Sequence, residues 1–138
     1  MPIAAFTTLV CEDDQKIRLL IRLTLEAEGS HVVEAGDGMS AIALAGSVKP
    51  DLVLIDMSLP DCDGAYVVRS LKALPELEQV PILLTVDRVS ADDLAETEEA
   101  GITGFLLKPF DVSELVGEVT RLLERRRSGD EGLLIRRL

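Results

Sequence analysis

Basic residues are in short supply: 14 Lys and Arg stand against 25 Asp and Glu, a formal net charge of −11. That balance argues against any broad phosphate-binding surface of the kind nucleic acids select. Five of the fourteen basic residues (Arg125, Arg126, Arg127, Arg136, Arg137) fall in the last fourteen positions, so the body is more acidic still. A divalent cation or a basic partner face suits it better. Cysteine is also scarce. Cys11 and Cys62 are too few for a disulfide framework and have no metal-ligand spacing, so both are expected to be reduced thiols. The lone histidine, His31, opens a short β-branched stretch and is expected at the surface. Nowhere do about 20 apolar residues run together, which leaves no membrane span, and "MPIAAFTTLV" lacks the basic start and apolar length of a secretion signal. A cytoplasmic location is expected. Internal repeats and low-complexity tracts are missing as well.

What is present is ordinary globular composition, 47% hydrophobic and 28% charged, at about the length of one domain. Five short apolar runs alternate with longer stretches of helical period. The runs are 6–10 (FTTLV), 31–35 (HVVEA), 51–55 (DLVLI), 81–85 (PILLT) and 104–108 (GFLLK). Between the first two, Ile17, Leu20, Ile21, Leu23 and Leu25 form a broad apolar face on a helix predicted over about 15–27, followed by Gly29. A last helix, about 112–126, carries Val112, Leu115, Val116, Val119, Leu122 and Leu123 at core spacing. Asp14 and Asp37 are expected to cap the first and second helices, and Gly64 to occupy a left-handed turn position. Strands alternating with helices, two of them continuous apolar runs, indicate a parallel sheet covered on both faces.

In such a sheet, ligands bind beyond the carboxyl ends of the strands, near the switch point of the strand order. Strand one leads into Glu12 and Asp13, strand three into Asp56, strand four into Thr85 and strand five into Lys108. Any one of these is ordinary turn chemistry; the set together is the signal. Two carboxylates about 4 Å apart repel by roughly 4 kcal/mol at an effective dielectric of about 20, so a cluster of acids needs a counter-charge. Hard carboxylate oxygens suit Mg²⁺, which takes one or two carboxylates and keeps waters or phosphate oxygens for the rest. A lysine beside the acids neutralises part of the charge, and a hydroxyl can donate to an added oxyanion. This is equipment for a phosphoryl group.

At this point the chain resembles the response-regulator receiver domains of two-component signalling, over about residues 6–126. The resemblance rests on "VCEDD" (10–14), "LVLIDMSLPDCDG" (52–64), "PILLT" (81–85) and "GFLLKPF" (104–110). It implies a single (βα)5 doubly wound, flavodoxin-like domain at 1–127 with strand order 2-1-3-4-5, and a tail or linker stub at 128–138. It implies that Asp56 is the phosphoacceptor, that Asp13 binds Mg²⁺ directly with Glu12 acting through water, and that the Ser58 carbonyl is the third protein ligand. Thr85 is similar to the family's switch hydroxyl, Lys108 to its ion-pairing lysine, and Phe105 to the aromatic that rotates inward on activation. Lys108-Pro109 would be a cis peptide. The implied phosphodonor is a histidine kinase or phosphotransfer protein, and the implied output is a protein partner at the helix 4, strand 5, helix 5 surface.

The chain departs from the family in two respects. Val86 follows Thr85 where the family usually has Ala, Ser or Gly, and its branched side chain is expected to narrow the path to the site. Thr103-Gly104 and Glu118 replace the acids and the arginine of the DNA-binding subfamily that dimerises through that surface, so that mode of dimerisation is not expected. A haloacid-dehalogenase-like phosphatase would want a second Asp two residues after Asp56, where Ser58 stands. A pseudo-receiver would lack some of the acids, the Thr or the Lys, and all are here. The charge balance yields a direct expectation: the isolated chain does not bind duplex DNA at physiological salt, which a gel-shift titration checks, and stable binding there would contradict it.

Overall fold

Every apolar run becomes a strand. The computed structural model describes residues 5–87 and 91–127; the expected tail at 128–138, with Arg136 and Arg137, lies outside the described residues. The chain runs β1 (Phe6–Cys11), α1 (Gln15–Ala27), β2 (Ser30–Ala35), α2 (Gly38–Val48), β3 (Leu52–Asp56), α3 (Gly64–Lys72), β4 (Ile82–Val86), α4 (Ala91–Ala100), β5 (Gly104–Leu107) and α5 (Val112–Arg127), with one 3-10 turn at Pro75–Leu77. The strands form one parallel sheet in the order β2-β1-β3-β4-β5. This is the doubly wound, flavodoxin-like architecture that the alternating pattern and the resemblance implied.

Alternation along each strand builds two cores. Val53, Ile55, Leu84 and Phe105 belong to the cluster that includes residues of α2 and α3, while Leu52, Leu54, Leu83 and Leu106 join Ile21 and Leu25 of α1 and Leu115 and Val119 of α5. β3 is buried along its whole length, as a strand covered on both faces must be. The apolar stripes of α1 and α5 are narrower than their sequences suggest. Leu20, Leu23 and Val112 are exposed, because the sheet covers only part of each helix circumference. Among the described residues no helix is long and apolar enough to cross a membrane.

Carboxylates start α1, α2, α3 and α5. Asp14 accepts from the Lys16 and Ile17 amides, Asp37 from Ser40 and Asp63 from Tyr66, while Asp111 and Glu114 cap α5 reciprocally. Gly29, after α1, takes a left-handed φ of 96°. Gly64 corrects the sequence reading. It is the first residue of α3 and is not left-handed; a Cβ there would lie 3.2 Å from Met57 Cα, so close approach of backbone is what the position demands.

His31 is exposed and both cysteines are free. Cys11 is completely buried, and burial, followed by the charges of Asp61 and Asp37, pushes its thiol up to about 12. An unfolded chain would ionise this thiol near 9, so its contribution to stability is complete below that pH and is lost as pH rises toward 12. Between about pH 8 and about pH 10, the native chain should lose roughly 1.4 kcal/mol more unfolding free energy than Cys11→Ala does, as denaturant titrations would measure. Equal losses would contradict the burial argument.

Candidate functional site

Parallel register brings the site together. Cys11 pairs with Ile55 and Asp56 with Thr85, so the residues just beyond β1, β3 and β4 emerge at one end of the sheet. Glu12, Asp13 and Asp56 each present a carboxylate oxygen, and these oxygens lie within 4.8 Å of one another. Glu12 is 0% exposed and Asp56 3%, whereas Asp13 is open to solvent. The set is therefore two walled-in carboxylates and one at the mouth.

Lys108 closes the cluster from the far side of β4. Its Nζ donates to Glu12 Oε1 at 2.9 Å and lies 3.3 Å from Asp56 Oδ2. Burial opposes the lysine charge, but the bonds and fields of Glu12 and Asp56 outweigh it and hold its pKa above the ordinary value. Burial pushes the Glu12 carboxyl up to about 7, against the hydrogen bond from Lys108 that lowers it. One cation thus serves three acids, and the site retains excess negative charge. Thr85 Oγ1 points the same way: it is buried and has no hydrogen-bond partner among the described residues. A buried hydroxyl without a partner costs about 1–3 kcal/mol, which an oxyanion ligand accepting from it would recover. The oxygen donors, the spare negative charge and the waiting hydroxyl fit a hard divalent cation such as Mg²⁺ together with an anionic group.

Backbone bonds fix the frame. The Glu12 amide donates to Ala35 O, Met57 to Thr85 O and Lys108 to Val86 O, while the Ser58 amide donates to Asp56 Oδ1 at 3.1 Å. The Lys108-Pro109 peptide is cis. Arg18, which sequence reasoning passed over as part of α1, donates to the Glu12 carbonyl at 2.6 Å and pairs with Glu34. Its only sequence signal is a cation one turn into the helix that follows the acids.

The chain matches the model of the response regulator receiver domain over residues 8–120. It belongs to that family. Receiver domains are signalling modules rather than classical enzymes. The chain is 37% identical over 120 residues to the transcriptional regulatory protein PrrA of Mycobacterium bovis, covering 87% of this chain and 51% of that protein. It is 34% identical over 117 residues to the KDP operon transcriptional regulatory protein KdpE of Escherichia coli, covering 85% and 51%. This receiver domain spans about half the length of these curated relatives. Among solved structures it resembles chemotaxis response regulator CheY4 of Vibrio cholerae, with TM-score 0.80, 28% identity and coverage of 84% of this chain and 97% of that one. It also resembles the receiver domain of sensor histidine kinase PA1611 from Pseudomonas aeruginosa, in which a magnesium ion is coordinated in the active-site cleft, with TM-score 0.80, 28% identity and coverage of 88% and 99%.

The remaining residues of interest lie around the cluster. Ser58 is exposed on the loop after β3. Phe105, 6% exposed, lies in the core on the α2 and α3 side, and so does Val86 at 2%. The isopropyl group of Val86 therefore packs into the protein, which bears first on stability. Truncation in Val86→Ala should cost about 2 kcal/mol by denaturant titration, from two lost methyl groups and the space they leave. A loss near zero would mean that the side chain does not pack as described.

Proposed function

We propose that this receiver domain, residues 1–127 with 128–138 as its tail, is a phosphorylation-controlled switch that accepts a phosphoryl group on Asp56 in a Mg²⁺-dependent reaction. The observation that carries the reading is the convergence of Glu12, Asp13 and Asp56 with Lys108 bound across them and Thr85 Oγ1 left free beside them. Asp13, Asp56 and the Ser58 carbonyl would hold the ion, with Glu12 acting through water. Bound Mg²⁺ would neutralise the phosphoryl oxygens and the charge that builds on them during transfer.

The chain's own groups account for the rest. An Asp56 carboxylate oxygen attacks phosphorus, forming an acyl phosphate as the bond from phosphorus to the donor nitrogen or oxygen breaks. The donor is a histidine kinase or phosphotransfer protein, or acetyl phosphate in the test tube. Lys108, on its short tether between Glu12 and Asp56, pairs with a phosphoryl oxygen. Thr85 donates its hydroxyl to another. Leu84, its neighbour in β4, pairs with Phe105 of β5, so movement of Thr85 toward the phosphoryl group is felt at the aromatic and on the α4, β5 and α5 surface. Glu98 and Glu99 on α4 make that surface acidic, while Glu96 pairs with Arg69 of α3 and Arg126 with Asp51, so it selects a partly basic protein rather than DNA. Val86 narrows the approach to phosphorus if its branched side chain borders that path. In stably folded Val86→Ala, faster gain and loss of phosphate would support that role, and unchanged rates would leave Val86 to packing alone.

The reading is tested with acetyl phosphate and intact-protein mass spectrometry. The native chain should gain one phosphoryl group only with Mg²⁺ present, and Asp56→Asn should gain none. A full-size adduct on Asp56→Asn, or one formed equally well in excess chelator, would overturn it.

A further inference from the structure

The loop from Met57 to Asp63 joins the phosphoacceptor strand to α3, and its far end is tied to a different helix. Asp61 reaches across to the N-terminus of α2, where Oδ1 accepts from the Gly38 amide and Oδ2 from the Met39 amide, both at 2.9 Å. Asp37 takes the Ser40 amide of the same turn, and Ala41 begins the internal ladder by donating to the Asp37 carbonyl. Two of the amides that α2 cannot bond internally are thus satisfied by a residue 22 and 23 positions away. These bonds also hold the Asp61 carboxyl below the usual carboxylate range.

Packing reinforces the tie. A Cβ at Gly38 would lie 2.3 Å from Cys62 Sγ and 2.8 Å from Val67 Cγ2, so only glycine lets the loop sit this close to the helix. The same turn touches the other half of the site, because Cys11 Sγ donates to the Asp37 carbonyl at 3.2 Å. Within the loop, an antiparallel bridge links Ser58 to Asp63. The end of β1, which leads into Glu12 and Asp13, and the loop that carries Ser58 are therefore both referenced to the first turn of α2.

We propose that Asp61 is a positioning residue for the cation site: by clamping the loop after β3 onto α2, it sets the distance between the Ser58 carbonyl and the Glu12 and Asp13 carboxylates. The inference rests on the Mg²⁺ reading above. Residues that orient ligands without touching the metal typically change its affinity by 10- to 100-fold. The full chain is titrated calorimetrically with MgCl₂ as native protein, Asp61→Ala, Asp61→Asn and Asp37→Ala, each below its measured melting transition. Asp61→Ala should bind Mg²⁺ about tenfold more weakly, and Asp61→Asn, which keeps one acceptor oxygen, should fall between it and the native chain. Asp37→Ala removes a cap from the same helix and a charge that, like that of Asp61, acts on Cys11, yet it leaves the loop clamped and should bind like the native chain. Native-like affinity in Asp61→Ala, or an equal loss in Asp37→Ala, would overturn the clamp. If Asp61→Ala does not fold, Asp61→Asn decides between the same outcomes. A native chain that binds no Mg²⁺ would instead overturn the function reading, and this inference with it.

Discussion

Three carboxylates cannot share a few ångströms at the end of a sheet without something to hold them there, and in this chain that constraint organises the site. Lys108 is the answer within the protein. It follows β5, which two strands separate from β1, and reaches over to bond Glu12 and approach Asp56. It leaves the balance negative, so the site is complete in geometry and incomplete in charge. That residue of charge, with the partnerless Thr85 hydroxyl, is what fits the site to a cation and an anionic group.

Holding the acids together requires that the frame does not yield. The carboxylates sit on a sheet whose central strand, β3, is buried along its length, with an aliphatic core on each face. Close packing of this kind resists gradual deformation, so the strand ends hold their carboxylates in fixed places. Thr85 and Phe105 lie on adjacent strands of this frame, where Leu84 pairs with Phe105. Val86, which follows Thr85, is buried and also belongs to this frame.

Loops at the carboxyl ends of the strands are fixed by helix N-termini. Asp14, Asp37, Asp63 and Asp111 each cap the helix they precede, which stops the connecting backbone from wandering. Asp61 does the same for a helix it does not precede. The acidic composition thus serves two ends: a few acids define the site, and others satisfy the amides that hold the site's loops in place.

The amino-acid sequence by itself determined the architecture and most of the site. Alternating apolar runs and helical periods need no long-range information to specify a covered parallel sheet, and a parallel sheet sends the ends of its strands to one side, so the sequence alone groups Glu12, Asp13, Asp56, Thr85 and Lys108. Local chemistry also identified the caps at Asp14 and Asp37. Tertiary structure decided the rest, because each remaining feature depends on a neighbour distant in the chain. Leu20 and Leu23 are apolar at helical spacing, yet the sheet covers only one side of α1. Gly64 stands in a loop rich in turn residues, yet what it needs is room for Met57. Arg18 and Asp61 look like an ordinary helix cation and an ordinary turn acid; their partners, the Glu12 carbonyl and the α2 amides, become visible only when strand pairing has brought separate segments within hydrogen-bonding distance.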